Sequence, residues 1–339
     1  MTTAVSATPT PEAIFDMLFA FQRTAALKAA IDVEIFTAID EGAATAGEIA
    51  ARCAASERGT RILCDYLTIS GLLSKTGQRY ALTPVSASFL SKKSPAYLGT
   101  TCEFLTLPDV TRNFEDLTGT VRRGSVAPAG NTVAGHEQAH WVTFARAMTP
   151  MMMPAAIAIA DLMDIGGAGS AKILDIAAGH GVFGIVLAQR NPRAEVVAVD
   201  WPGVLSVATE NARKMGVADR HRTISGDAFT VDYGTGYDIA LVTNFLHHYD
   251  VPTCTTLLAK VAKALKPGGR AVILEFVPNE DRVSPPMAAG FSLTMLAGTP
   301  AGDAYTLAQL QQMAADAGFT GKVSAHALPT PETVVVAVK

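Results

Sequence analysis

The sequence feature that most constrains the fold is a glycine-rich turn directly after a short apolar run. Residues 171–176, AKILDI, have the composition of a buried strand, and the chain continues as AAGHGVFG. Within that turn, Gly179, Gly181 and Gly184 stand in G-x-G-x-x-G spacing. This spacing is typical of a strand that turns tightly into a helix and binds a nucleotide there. The spacing alone does not decide which nucleotide the turn would bind.

Strand and helix patterns alternate from this turn onward. The further strand-like segments are 194–200, 221–225, 237–243 and 270–277. Such alternation predicts a parallel sheet with helices on both faces. The last two strand-like segments, GKVSAHAL and ETVVVAVK, are joined only by PTP, so we expect them to form an antiparallel pair at the sheet edge. The predicted fold class is therefore α/β, with a Rossmann-like sheet extended by an antiparallel strand pair.

The N-terminal region has the pattern of a winged helix. Residues 11–95 are predicted to be mostly helical, and SKTGQRYALT predicts a hairpin around Gly77. A DNA-binding regulator is therefore one hypothesis. However, residues 1–100 contain nine Lys or Arg and nine Asp or Glu side chains, without the basic excess that nucleic-acid binding requires. We expect this region to dimerise the protein or to close a substrate site.

Three segments are predicted along the chain. They are a winged-helix-like dimerisation domain over residues 11–100, a linker with connecting helices over 101–165, and the nucleotide-binding sheet domain over 166–339. Residues 118–135 are rich in Gly, Pro and Ser, which predicts a loop, and a long helix is expected over about 136–165.

The composition favours a cytoplasmic protein that binds neither nucleic acid nor membrane. The 27 basic and 31 acidic side chains are nearly balanced. The longest uncharged apolar stretch, about 147–160, is too short to span a bilayer and contains Pro150 and Pro154. The N-terminus lacks the features of a signal peptide, and four scattered cysteines fit a reducing compartment. Because 49% of the residues are apolar, we expect part of the surface to be buried against a second copy.

Three carboxylates near the predicted strand ends bear on the identity of the nucleotide. Asp200 follows Gly179 by 21 residues and could accept ribose hydroxyls of either a nicotinamide dinucleotide or S-adenosylmethionine. Asp175 would repel a pyrophosphate but favour the cationic end of S-adenosylmethionine, and Asp227 could accept from an adenine amino group. Together with the antiparallel strand pair, these residues favour S-adenosylmethionine. Taken singly, Asp175 and Asp227 could instead have purely structural partners.

Six stretches carry a resemblance to a known family: ILDIAAGHG, VVAVDWPGV, SGDAF, NFLHHYD, ALKPGGR and DAGF. Residues 11–339 resemble the small-molecule O-methyltransferases that join a winged-helix dimerisation domain to a class I methyltransferase domain, a group that includes caffeate-type and acetylserotonin-type enzymes. The resemblance implies a homodimer that uses S-adenosylmethionine. It implies that the cofactor-binding residues are Asp175, Ala177, Gly179, Gly181, Asp200, Trp201, Gly226, Asp227, Ala228, Phe229 and Asn244.

This chain departs from the family pattern at three places. Ala177 stands where the family usually has a glycine, and Asn244 stands where relatives often have Lys or Arg. The second orienting glutamate of the plant enzymes has no counterpart in GDAYTLAQL, residues 302–310. The third departure leaves the predicted catalytic base with less support.

The segment NFLHHYD supplies the candidate base. A phenol with a pKa near 10 is only about 0.1% ionised at pH 7, so methyl transfer to its oxygen benefits from a base that removes the proton during attack. Aligning LHHY with the family's L-H-D-W implies that His247 is this base and that His248 occupies the Asp position. Glu275 matches a family carboxylate that orients the base. An acid in an apolar strand is also costly to bury without a partner.

The segment HEQAH, residues 136–140, formally matches the zinc motif H-E-x-x-H. No third ligand follows at a suitable spacing, so we predict no metal site.

The helix that follows carries an apolar face of Trp141, Phe144, Met148 and Met152. These side chains could fill the core or line a pocket for a flat aromatic acceptor. In the family, this helix borders both cofactor and acceptor. Phe291 and Met295, in a helix predicted over 285–298, would cover the same cleft.

The sequence thus predicts a homodimeric, cytoplasmic, S-adenosylmethionine-dependent O-methyltransferase of a small aromatic or polyketide-like molecule. Three rival hypotheses stay open. One keeps the fold and cofactor but methylates nitrogen or carbon, or does not methylate. The second is the winged-helix regulator, and the last is a nicotinamide-dependent oxidoreductase.

Overall fold

The computed structural model describes residues 9–126, 138–167 and 169–339. The chain forms two compact units that meet between Thr106 and Leu107. The elements of the first unit are α1 (Glu12–Leu18), α2 (Ala20–Asp32), α3 (Ile35–Asp40), α4 (Ala46–Arg52), α5 (Glu57–Ile69), β1 (Leu73–Thr76), β2 (Arg79–Leu82), α6 (Pro84–Phe89) and α7 (Gly99–Leu105). The three segments predicted from the sequence stay a prediction about domain organisation.

Local sequence signals fix the winged helix of the first unit. Helix α4 begins with a capping box, in which the Thr45 side chain accepts from the Glu48 backbone and the Glu48 carboxylate accepts from the Thr45 backbone. Ser56 caps α5 in the same way, by accepting from the Gly59 N–H. Strands β1 and β2 then pair antiparallel around the predicted turn. The predicted helical region with its hairpin is therefore confirmed.

The second unit holds a sheet with helices on its faces. Its elements are α8 (Pro108–Thr111), α9 (Leu117–Arg123), α10 (Gln138–Met163), β3 (Ala171–Ile176), α11 (Val182–Arg190), β4 (Ala194–Asp200), α12 (Pro202–Lys214), β5 (His221–Ser225), β6 (Tyr237–Thr243), α13 (Val251–Ala264), β7 (Leu265–Glu275), α14 (Pro286–Gly298), α15 (Leu307–Asp316), β8 (Val323–Ala327) and β9 (Thr333–Val338).

The strand order of the sheet is β5-β4-β3-β6-β7-β9-β8. Strands β5, β4, β3, β6 and β7 are parallel to their neighbours, whereas β9 is antiparallel to both β7 and β8. The predicted parallel sheet with an antiparallel terminal pair is confirmed. The chain leaves β3 towards β4 on one side and later returns to β6 on the other. The carboxyl ends of β3 and β6 therefore border the crevice in which ligands of such sheets bind.

The predicted loop over residues 118–135 is wrong in its first part. Helix α9 covers Leu117–Arg123 because the Asp116 side chain accepts from the Gly119 N–H at 3.1 Å and caps the first turn. The helix ends at Gly124. The glycine-rich composition favoured a loop, although the sequence contains both a helix cap at Asp116 and a helix-ending glycine at Gly124. Residues 127–135 lie outside the described part of the chain.

Helix α10 is longer than the apolar stretch predicted from the sequence. By length and composition alone, residues Ala139–Met163 are long and apolar enough to cross a membrane, as core helices of soluble proteins also are. The helix contains Pro150 and Pro154 and packs against α11 and α12. Ala155, Ala156 and Ile159 on it are completely buried, as expected for a core helix.

Candidate functional site

Asp175 supports the glycine turn between β3 and α11 through a hydrogen bond to the start of α11. This carboxyl group is completely buried, and its Oδ2 accepts from the Gly184 N–H at 3.1 Å. Ala177, Gly179 and Gly181 have φ values of +52°, +57° and +73°, so three residues of the turn occupy the left-handed region. Ala177 adopts this conformation with a Cβ, at a cost of about 1–2 kcal/mol.

Burial opposes the negative charge that the sequence prediction gave to Asp175. Burial raises the pKa of Asp175 to about 8, so the group is largely protonated at neutral pH. A neutral carboxyl neither repels a pyrophosphate nor attracts a cation strongly. The contribution of Asp175 that the structure shows is the hydrogen bond to the start of α11.

Asp200 ends β4 beside the turn. Its Oδ2 accepts from the Gly179 N–H at 2.8 Å, and its Oδ1 accepts from the Trp201 N–H at 2.7 Å. Burial raises the pKa of Asp200, while the two N–H groups oppose that shift. Trp201 is 41% exposed, which leaves much of its ring free on the surface.

The predicted adenine side lies after β5. In the stretch Gly226–Phe229, the Asp227 Oδ1 accepts from the Phe229 N–H at 2.9 Å, and Ala228 is buried. The Phe229 ring meets the Tyr249 ring edge to face with centroids 4.9 Å apart. This contact brings the stretch next to the segment that carries the two histidines.

Asn244 lies directly after β6. Its backbone has φ +52°, and its Nδ2 donates to the Met152 sulfur at 3.5 Å. Its Oδ1 is buried without a partner among the described residues. A buried acceptor without a partner is costly, so this oxygen is a candidate ligand contact.

His247 and Glu275 form a buried pair. His247 Nδ1 donates to Glu275 Oε2 at 2.5 Å, and the two residues are 5% and 1% exposed. The other carboxylate oxygen, Oε1, accepts from the N–H groups of Phe245 at 3.0 Å and Leu246 at 2.8 Å. Glu275 therefore holds both the histidine ring and the short turn that carries it. With Nδ1 occupied, Nε2 is the nitrogen available to accept a proton.

His248 lies beside His247, with ring centroids 4.2 Å apart. Burial, and then the charge of His247, lower the pKa of His248 well below its usual value. His248 is therefore neutral near pH 7. Its Nδ1 is buried without a partner in the described part of the chain, and its ring meets Trp141 edge to face at 5.7 Å.

Aromatic rings surround the histidine pair. Phe291 on α14 meets the His247 ring at 4.9 Å and stacks on Phe276 at 4.2 Å. Trp141 on α10 contacts both His248 and Phe144, the latter with centroids 5.5 Å apart. The structure thus brings Phe291 to His247 and Trp141 to His248, whereas Phe144 reaches the histidines only through Trp141.

The predicted methionines lie deeper. Met148, Met152 and Met295 are 5%, 4% and 3% exposed. Burial favours the core alternative for Met148, and Met295 on α14 is buried to a similar extent. Met152 also reaches Asn244 through its sulfur.

Sequence reasoning missed three residues around this site. His180, inside the glycine turn, is buried, and its Nδ1 accepts from the Val182 N–H at 3.2 Å. Thr299 and Gly302 follow α14, and Gly302 packs on the backbone of His247. The only available signal was a glycine shortly after a predicted helix, which does not distinguish a close contact from an ordinary turn.

Of the HEQAH segment, His136 and Glu137 lie outside the described residues. His140 packs edge to face on Trp141 at 5.4 Å. In the described ranges, no group of three or more His, Cys, Asp or Glu side chains could hold a metal ion.

A parallel sheet with an antiparallel terminal pair, and a glycine turn after its central strand, is the architecture of class I methyltransferases. The chain belongs to the O-methyltransferase family. The model of the O-methyltransferase domain matches residues 133–320, and that of the O-methyltransferase dimerisation domain matches residues 15–92. The protein is accordingly an O-methyltransferase that uses S-adenosylmethionine.

Individual relatives agree with this assignment. The chain is 30% identical to the 3-hydroxy-5-methyl-1-naphthoate 3-O-methyltransferase of Streptomyces sahachiroi, over 97% of this chain and 95% of the relative. A crystal structure described as a candidate O-methyltransferase of Nostoc punctiforme is 48% identical, with a TM-score of 0.93 over 98% of this chain and 100% of that one. Human N-acetylserotonin methyltransferase, solved with S-adenosylmethionine, shares the fold, with a TM-score of 0.85 at 21% identity and 99% coverage of both chains.

The residues at the turn fit S-adenosylmethionine. A Cβ added to Gly179 would meet nothing nearer than the Ala177 carbonyl oxygen at 3.9 Å, so the space above this glycine is open. The Asn244 Oδ1 offers an unused acceptor suited to an ammonium or hydroxyl donor. Glycine backbone, a carboxylate at the end of the next strand and a free acceptor are what this cofactor requires.

Proposed function

We propose that the protein methylates a hydroxyl of a small aromatic or polyketide-like molecule, with His247 as general base and Glu275 as its orienting carboxylate. The observation that carries the proposal is the 2.5 Å contact between His247 Nδ1 and Glu275 Oε2. This contact fixes the ring tautomer and leaves Nε2 as the proton acceptor.

The chain's own residues account for the proton transfer. As the acceptor oxygen takes the methyl group, its proton would pass to His247 Nε2. S-adenosylmethionine would supply the methyl group as an electrophile and would leave as the neutral thioether S-adenosylhomocysteine. The buried Glu275 carboxylate stabilises the imidazolium that forms, because a charge-assisted hydrogen bond strengthens as the ring gains charge.

An aromatic acceptor is supported by the rings beside the base. Phe291, backed by Phe276, and Trp141 offer flat apolar surfaces next to the two histidines, and such surfaces favour a planar ring over a sugar. The Streptomyces relative acts on a naphthoate. His248 and Phe144 would contact the same acceptor, and Met148, Met152 and Met295 would support the pocket from behind.

For the cofactor, we propose that the residues predicted from the sequence act as three groups. Asp175, Ala177, Gly179 and Gly181 would shape the turn, and Asp200 would accept from the ribose hydroxyls. Trp201 and the stretch Gly226–Phe229 would border the adenine, and Asn244 would contact the amino acid end. The open space above Gly179 supports this arrangement.

We also propose a homodimer in the cytoplasm. The first two helices expose apolar side chains that water disfavours: Ile14, Phe15, Met17, Leu18, Phe19 and Phe21, all at least 50% exposed. The dimerisation-domain match supports a second copy as their cover. All four cysteines are free thiols, as expected in a reducing compartment. Met17→Asp should convert the dimer to monomer in light scattering; an unchanged mass would exclude this face.

The function is tested with His247→Ala and a matched control, His326→Ala on the distant edge strand β8. The formation of S-adenosylhomocysteine is measured with a panel of naphthols and hydroxybenzoates. The binding of this product, S-adenosylhomocysteine, is measured by calorimetry. We expect His247→Ala to slow transfer at least about 100-fold with unchanged product affinity, and the control to behave as wild type. Equal rates in both variants would remove His247 from the mechanism.

The acceptor class has its own contradicting result. If the wild type methylates no phenol of the panel but transfers the methyl group to an amine or carbon acceptor, the target atom is nitrogen or carbon and not oxygen. Binding of operator DNA without methyl transfer would favour the regulator.

A further inference from the structure

Gly302 lies against the backbone of the proposed base. A Cβ built on Gly302 would lie 2.1 Å from the carbonyl oxygen of His247 and 3.0 Å from the carbonyl carbon of His248. Contacts this short do not occur, and backbone atoms cannot give way by changing a rotamer. An added Cβ would also lie 2.7 Å from the Thr299 Oγ1. A side chain at position 302 would therefore push the loop after α14 and the turn that carries the two histidines apart, by about 1 Å if normal van der Waals separations are restored.

Thr299 fixes Gly302 in this place. The Thr299 side chain is buried beyond the last turn of α14, where its hydroxyl donates to the Met295 carbonyl at 2.7 Å. The same hydroxyl oxygen accepts from the Gly302 N–H at 2.8 Å. One hydroxyl group thus ties the loop after α14 to the helix itself, so the loop keeps a fixed distance from α14.

The histidine turn is also held by Glu275, which accepts from the N–H groups of Phe245 and Leu246. Two independent contacts, with a carboxylate and with the backbone of Gly302, therefore restrain the turn. Helix α14 also carries Phe291, whose ring meets the His247 ring at 4.9 Å. The base and the proposed wall of the acceptor pocket are consequently connected through Thr299 and Gly302.

We propose that Gly302, held by Thr299, is a positioning residue that sets the distance between His247 Nε2 and an acceptor bound against α14. The inference rests on the proposed role of His247. The absence of a side chain at 302 is what permits the carbonyl of His247 to reach its place. The hydroxyl of Thr299 makes that place the same in every turnover.

The first test compares Gly302→Ala with Gly290→Ala. Gly290 lies on α14 with nothing within 4 Å of an added Cβ, so it receives the same methyl group without a contact. Because a misplacement of about 1 Å can cost about 100-fold in rate, we expect Gly302→Ala to lower kcat about 10- to 100-fold. In Gly302→Ala, the KM for the best phenol of the panel and the affinity for S-adenosylhomocysteine should each change less than threefold. Gly290→Ala should match wild type in all three quantities.

The pH profile separates positioning from a general loss of structure. At high pH, phenols ionise without help from a base, so the deficit of Gly302→Ala should shrink at least threefold between pH 7 and pH 9.5. A deficit that is constant across this range would overturn the proposal. Amide NMR signals of residues 245–248 in the product-bound enzyme should shift in Gly302→Ala and not in Gly290→Ala, and unshifted signals would also overturn it.

Thr299 provides a second pair of variants should Gly302→Ala fail to fold. Thr299→Val keeps the shape and removes both hydrogen bonds, whereas Thr299→Ser keeps the hydroxyl. We expect kcat to fall about 10-fold in Thr299→Val and to be largely restored in Thr299→Ser. Equal rates in the two variants would refute the role of the Thr299 hydroxyl in holding Gly302. If His247→Ala retains full activity, the proposed function itself fails; if only the Gly302 and Thr299 variants are unimpaired, this inference alone fails.

Discussion

Replacing Glu275 by glutamine tests the proposed base most directly. The glutamine carbonyl can still accept from the Phe245 and Leu246 N–H groups, which lie 3.0 and 2.8 Å from Oε1, so the turn should keep its shape. The amide nitrogen would instead donate to His247 Nδ1 and move the ring proton to Nε2. In that tautomer, Nε2 cannot accept the proton of the acceptor.

The magnitude follows from the lost contact. A hydrogen bond to a charged group contributes about 1.5–3 kcal/mol, or roughly 10- to 150-fold in rate at 1.36 kcal/mol per factor of ten. The unfavourable tautomer adds to this cost. We therefore expect kcat to fall about 100- to 1000-fold in Glu275→Gln, with little change in the free energy of unfolding.

The assay is single-turnover formation of S-adenosylhomocysteine at pH 7, with product affinity measured by calorimetry. Glu195→Gln, the same change at an exposed site on β4, serves as control. Nitrogen-15 NMR of the His247 ring should show the proton on Nδ1 in wild type and on Nε2 in the variant. A loss of rate below threefold, or an unchanged tautomer, would refute the assignment of Glu275 as the orienting group.

Three further predictions concern the turn and the sheet edge. Burial raises the pKa of Asp175 to about 8, so its stabilising contribution is present below about pH 4 and is lost as pH rises towards 8. In urea unfolding, the free energy of unfolding of Asp175→Asn should therefore gain on that of wild type between pH 5 and 8, by up to about 1.4 kcal/mol per pH unit. Parallel curves for the two proteins would contradict this. Gly181→Ala places a Cβ 2.9 Å from the Ala208 Cβ at φ +73°, so we expect a loss of about 1–3 kcal/mol in stability and at least tenfold weaker product binding by calorimetry. Burial lowers the pKa of His221, whose ring nitrogens have no partner in the described chain. The stability of the wild type should therefore fall as pH drops below about 6.5, and the melting temperature of His221→Phe should fall less over the same range. Equal slopes in the two proteins would exclude this histidine as the cause.

The features that the sequence predicted correctly are periodic or local. Alternating strand and helix patterns, the hairpin at Gly77 and the PTP connection each follow from the few residues that form them. The glycine spacing located the turn for a similar reason, since a tight turn needs particular residue types at fixed distances. The buried contact of Glu275 with His247 was predictable as far as an acid in an apolar strand requires a partner.

The features that the sequence did not predict depend on tertiary surroundings. The raised pKa of Asp175 follows from complete burial beneath the turn, which depends on side chains far away in the chain. Gly302 and His247 are 55 residues apart, and no local pattern indicates that their backbones touch. Helix α9 was missed because its glycine content outweighed the Asp116 cap.

The structure also offers a reason why the proposed base would not need the second orienting glutamate of the plant enzymes. In the segment where that residue would lie, Asp303 pairs with Arg282 at 3.0 Å on the surface, and the Tyr305 hydroxyl donates to the Tyr249 carbonyl. Together with Gly302, Tyr305 contacts the backbone that carries the histidines rather than the histidine ring. A second carboxylate would hold the ring directly, whereas these contacts hold the turn and leave the ring to Glu275. A single carboxylate is then sufficient, because the carboxylate that orients the ring and the loop that fixes the turn restrain different degrees of freedom.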